Sequence, residues 1–94
     1  MEQIIDGLLY STETATLIAS DRYWDGKNYD RKGRNTYLFK TKKGKFFLYR
    51  MTLWQGELDC LQPITDTEAR TWYERLPERD LKYETVFNEK PEEA

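Results

Sequence analysis

The sequence predicts one α+β domain, an antiparallel β-meander of four to five strands with one C-terminal α-helix packed on one face. Three observations predict it. Two aromatic and β-branched runs, residues 36–41 and 45–51, flank Lys42-Lys43-Gly44, where glycine supplies the positive φ of a tight hairpin. Thr65-Asp66-Thr67-Glu68 is a capping box, threonine reaching forward to an orphan amide and glutamate reaching back. The chain has 94 residues, the length of a single domain, and its 38% hydrophobic content against 34% charged implies a small core supplied largely by aromatics.

In chain order, an apolar run of Ile4, Ile5, Leu8, Leu9 and Tyr10 is broken at Asp6-Gly7, which predicts a first strand over residues 7–10. Ala15, Leu17 and Ala19 alternate with Thr16, Ile18 and Ser20, the period of a second strand with one buried face. Residues 21–35, with Asp25-Gly26 and Lys32-Gly33 as turn dipeptides, read as a long loop. After the hairpin, Gln55-Gly56 makes a turn and residues 57–62 a further strand ended by Pro63, in which Cys60 takes the role of a small buried hydrophobe. Ile64 staples the chain before the helix. Ala69, Trp72, Tyr73 and Leu76 share a helical face that should meet the Phe and Leu side chains of the hairpin, with Glu68, Arg70, Glu74 and Arg75 outward. Glu74 is expected to pair with Arg70 and Glu78 with Arg75. Pro77 stops or kinks the helix, Leu81, Tyr83, Val86 and Phe87 suggest one more packed turn or strand, and Trp54 belongs with Trp72 in the core. The domain is expected over residues 1–88, with 89–94 an acidic flexible tail.

Composition narrows the chemistry. There is no histidine and a single cysteine, so Ser-His and Cys-His dyads and thiol or imidazole zinc sites lack their parts. Asp6, Asp59 and Asp66 match no calcium or magnesium loop spacing. The expectation is a protein that is not an enzyme, with no catalytic residue, no metal and no cofactor. A lone cysteine fits a reducing cytosol, the acids Glu2 and Asp6 argue against a signal peptide, and no run is long enough for a membrane span.

Charge is segregated although the net is only −2. Residues 21–50 hold ten basic side chains against three acids, whereas residues 51–94 hold eleven acids against five bases. Such a dipolar chain steers toward charged partners at low salt. The basic stretch, where Arg22 and Lys27 interleave with aromatics, offers Tyr23, Trp24 and Tyr29, then Arg31, Lys32 and Arg34, and Lys42 and Lys43 at the hairpin tip. Trp, Tyr and Arg carry most of the energy in protein-binding hot spots, which makes these eight residues the candidate partner-binding set. The same aromatics and cations suit a nucleic-acid-binding module, the alternative function. Asp66, Glu68, Glu74, Glu78, Asp80 and Glu84, on or after the helix, are the other candidate surface, and a second copy of the chain is a further candidate partner.

The segments GLLYSTETATLIAS, LFKTKKGKFFLY and ITDTEARTWYERL, in this order between Gly7 and Leu76, resemble a family of small proteins carried by bacterial phages, plasmids and integrated elements. The chain departs from that pattern after the hairpin, where RMTLWQGELDC replaces a Gly-rich segment. The resemblance implies an accessory or counter-defence factor, such as an anti-CRISPR protein. Such a factor binds a defence effector protein or ribonucleoprotein in the host cytosol and blocks its surface or nucleic-acid channel.

Overall fold

The computed structural model describes residues 1–21, 34–52, 56, 58–91 and 93. Its first element is a two-stranded hairpin, β1 (Glu2–Ile5) and β2 (Leu8–Ser11), with Ile5 opposite Leu8 and Glu2 opposite Ser11. Asp6 and Gly7 turn it with φ of 52° and 76°, the paired positive values of the two-residue turn whose twist matches that of the strands. The expected break in the apolar run is therefore itself a turn, and the strand expected over residues 7–10 is one half of a hairpin. This hairpin stands apart from the main sheet.

That sheet is antiparallel and five-stranded among the described residues, in the order β6-β5-β4-β3-β7. β3 (Thr16–Ser20), β4 (Arg34–Lys40), β5 (Phe46–Thr52) and β6 (Cys60–Ile64) form the meander, and β7 (Glu78–Arg79) joins the free side of β3. β4 and β5 pair without a shift from Arg34 opposite Thr52 to Lys40 opposite Phe46. β3 does not run evenly against β4: Leu17 faces Phe39 but Ala19 faces Leu38, so Ile18 is the extra residue of a bulge. The expected strict alternation is corrected there, and Ile18, Ala19 and Ser20 are all buried.

Alternation along β4 and β5 sends side chains to two cores. Leu38, Phe46 and Leu48 face the helices with Ile18 and Ala19, while Phe39 and Phe47 face the N-terminal hairpin with Tyr10 and Leu61. On the second side Phe39 stacks on Phe47 at 5.2 Å between ring centres and Tyr10 meets Phe47 edge-on at 5.5 Å. The sheet is thus covered on both faces, by helices on one and by β1–β2 on the other.

The helix α1 (Asp66–Arg75) starts as its capping box requires: Thr65 Oγ1 accepts from the Glu68 amide at 3.1 Å and Glu68 Oε1 accepts from the Thr65 amide at 2.9 Å. Ala69, Tyr73 and Leu76 are buried against Leu38, Phe46 and Leu48, as the helical spacing predicts. Leu76 takes an extended conformation before Pro77 and ends the helix. The chain then forms β7, where the Asp80 amide donates to the Ile18 carbonyl at 2.8 Å, and a short second helix, α2 (Tyr83–Phe87), that buries Val86 and Phe87.

Other expectations need correction. β6 begins at Cys60 and continues through Pro63, opposite Phe47, because an edge strand tolerates a residue that donates no hydrogen bond. Cys60 is exposed opposite Arg50 rather than buried, since Leu61 takes the inward position, and Leu58 lies exposed before the strand. Arg70 pairs with Asp66 at 2.7 Å and with Glu89, rather than with Glu74. Arg75 lies over the half-buried Trp72 ring, 4.8 Å from its centre, with Arg50 5.6 Å from it. Trp54 falls outside the described residues. No helix among those described is long and apolar enough to cross a membrane.

Candidate functional site

The β4–β5 turn is built from its own hydrogen bonds. The Thr41 amide donates to the Lys45 carbonyl at 2.7 Å, the Gly44 amide to the Thr41 carbonyl at 3.0 Å and the Lys45 amide to Thr41 Oγ1 at 3.0 Å. Gly44, at φ 87°, closes it with a backbone conformation that costs other residues energy. The threonine hydroxyl is spent inside the turn, so Lys42, Lys43 and Lys45 project from a fixed frame and are exposed. Among the described residues none of the three has an ion-pair partner.

Beside this turn stands the N-terminal hairpin, and between them lies an open cleft of about 310 Å³. One wall is Gly7 of the turn and the length of β2, from Leu8 to Ser11, and the other is Thr41 with Lys42, Lys43 and Lys45. Leu9 is 56% exposed and its cross-strand neighbour Ile4 is 73% exposed. Tyr10 also lines the cleft but its ring is buried in the core with Phe47. The site joins an aliphatic edge to a cationic wall.

Of the sequence-predicted set, the structure brings Lys42 and Lys43 together here. Arg34 opens β4, six residues before Lys40, and a strand of that length puts it about 20 Å from the turn. Tyr23, Trp24, Tyr29, Arg31 and Lys32 lie outside the described residues. The residues flanking them are tied down at the Arg34 end of the sheet: Asp21 Oδ1 accepts from the Thr36 amide at 2.8 Å and from Asn35 Nδ2 at 3.3 Å. The basic stretch therefore leaves and rejoins the sheet at the end opposite its hairpin lysines. Leu8, Leu9 and Lys45 were not among the expected site residues; the signal for them was Asp6-Gly7 between two apolar pairs, a hairpin turn whose outer face had nothing to cover it.

The carboxylates of the rival acidic surface are partly committed to structure. Glu68 closes the capping box, and Asp66 and Glu89 hold the Arg70 guanidinium, whose pKa they push up. Asp59 accepts from the Tyr49 hydroxyl at 2.7 Å. Burial first, and then that hydrogen bond and the Asp59 charge, push the Tyr49 hydroxyl up to about 12, so it stays protonated at neutral pH.

The antiparallel sheet of this α+β fold is covered on both faces, and its second cover leaves a cleft with one aliphatic and one basic wall. No family model, curated protein or solved structure matches the chain.

Proposed function

We propose that this protein is a non-catalytic binding factor that docks on the surface of another protein through the cleft between β2 and the lysine turn. The observation that carries the reading is the juxtaposition, in one cleft, of exposed Leu8 and Leu9 with three exposed lysines that have no ion-pair partner among the described residues. Aliphatic contact rewards burial at about 25 cal/mol per Å², while lysines at the rim select an acidic partner and speed encounter. The sequence resemblance adds the setting: a factor of phage or plasmid origin that occupies a bacterial defence effector, in the manner of an anti-CRISPR protein, in the host cytosol.

The nucleic-acid reading has the lysines in its favour, but the aromatic in the cleft, Tyr10, is buried and offers no stacking face. One experiment separates the two. The immobilised protein and its Lys42→Glu/Lys43→Glu/Lys45→Glu variant are used to capture partners from bacterial lysate, with and without nuclease. The expected result is a protein recovered in both treatments by the wild type and lost by the variant. Recovery of nucleic acid alone, abolished by nuclease and by salt, overturns the reading in favour of the alternative. A protein retained equally by the variant moves the site elsewhere on the surface.

A further inference from the structure

Resting on that reading, we infer that the cleft takes its partner as an extended acidic strand added to the open edge of β2. Successive side chains of a strand point to opposite faces, so Leu8 and Tyr10 face one way and Leu9 the other. A cleft lined by every residue from Gly7 to Ser11 therefore runs along the strand's edge, where backbone groups are presented.

The register says which groups. A two-residue turn makes its flanking residues, Ile5 and Leu8, a hydrogen-bonded pair, and this parity recurs at Gln3 with Tyr10 and at Met1 with Thr12. The last of these is seen directly, the Thr12 amide donating to the Met1 carbonyl at 3.0 Å. Leu9 has the opposite parity, so its N–H and C=O point away from β1. Ser11, of the same parity, sends its carbonyl outward to accept from the Ala15 amide at 3.0 Å. Leu9 has no such partner among the described residues and is well exposed. An unpaired edge beside a neighbouring wall is the arrangement that strand-adding peptide sites use.

The opposite wall identifies the occupant. Lys42, Lys43 and Lys45 face the space an added strand would fill, which calls for a segment with carboxylates at alternate positions and aliphatic side chains between them. A second copy pairing β2 with β2 would crowd two lysine turns around one new ladder, and like charges disfavour it. An anionic bilayer satisfies the lysines, but its fluid headgroups hold no donor and acceptor at the fixed spacing that the Leu9 N–H and C=O present.

The test uses the full chain and a synthetic nine-residue peptide of alternating glutamate and valine, labelled for fluorescence anisotropy. Its counterpart with every backbone amide N-methylated keeps the charges and loses the donors. The inference expects saturable binding of the first peptide, at least about tenfold weaker binding of the methylated one, and similar weakening by Lys42→Glu/Lys43→Glu. Amide exchange should slow at Leu9 in the complex. Equal binding of both peptides overturns strand addition while leaving the basic docking surface in place. Failure of the unmethylated peptide to bind overturns the inference whatever the lysate capture shows. It is also overturned if the chain sediments as a dimer that excludes the peptide, or binds phosphatidylserine vesicles and not the peptide.

Discussion

The two faces of the sheet are covered in different ways. On one, α1 and α2 cover Leu38 and Leu48 and bury Val86 and Phe87 of α2 in the same cluster, and the Arg79 guanidinium caps α1 by donating to the carbonyls of Tyr73 at 2.9 Å and Glu74 at 2.8 Å. On the other, a hairpin with strands of four residues covers Phe39 and Phe47 and has little left to close with. A helix satisfies its own backbone and needs only one apolar stripe covered. A hairpin leaves two open edges and an outer face, and here that face carries Ile4 and Leu9. The thinner cover is the one that leaves large aliphatic side chains exposed.

The sharpest way to break this contrast is to truncate neighbours on one strand that face opposite ways. Phe47→Ala on the hairpin side and Leu48→Ala on the helix side should each cost about 2–5 kcal/mol in denaturant unfolding, because both side chains are fully buried. A cost below about 1 kcal/mol at Phe47 would show that the hairpin face is dispensable to folding. Next in size, Thr65→Ala should lower stability by about 1 kcal/mol through loss of the cap. Gly7→Ala, at φ 76°, should cost about 1 kcal/mol and, unlike the cap variant, show its effect as faster amide exchange confined to β1 and β2.

A pH measurement sharpens the hairpin side further. The Tyr49 hydroxyl is raised in the folded state from 10.0 to about 12, so its contribution is fully present below pH 10 and is lost as pH rises toward 12. Tyr49→Phe should flatten that part of the stability curve and remove one phenol that ionises near pH 12 from the absorbance titration. The smallest effect on folding belongs to the lysine turn: Lys42→Glu/Lys43→Glu should move stability by no more than about 0.5 kcal/mol, since neither side chain is buried or paired. Any change in partner capture by that variant then reports on the surface.

Local chemistry was readable from residue order. The capping box, the helical face of Ala69, Tyr73 and Leu76, and the Lys42-Lys43-Gly44 turn appear where their signals stand, because each is fixed by groups within a few residues of one another. Cys60 shows the limit: its neighbours Leu58 and Leu61 suggested burial, but the strand enters the sheet only at Cys60 and on its edge, where one face of the residue has no neighbour. The site divides in the same way. Lys42 and Lys43 were legible as exposed cations, whereas Leu9 became part of a cleft only when β1–β2 folded over the face opposite the helix.

The α+β class, the helix with both its ends, the central hairpin and the concentration of basic charge could all be read from residue order, because each is a property of short stretches of chain. Long-range packing alone set the N-terminal hairpin apart from the main sheet to cover its second face, added β7 beyond β3, and brought Leu9 into one cleft with Lys42, Lys43 and Lys45. Those outcomes rest on which apolar surfaces remain uncovered once the local elements have formed, a competition between segments far apart in the chain that no single stretch can encode.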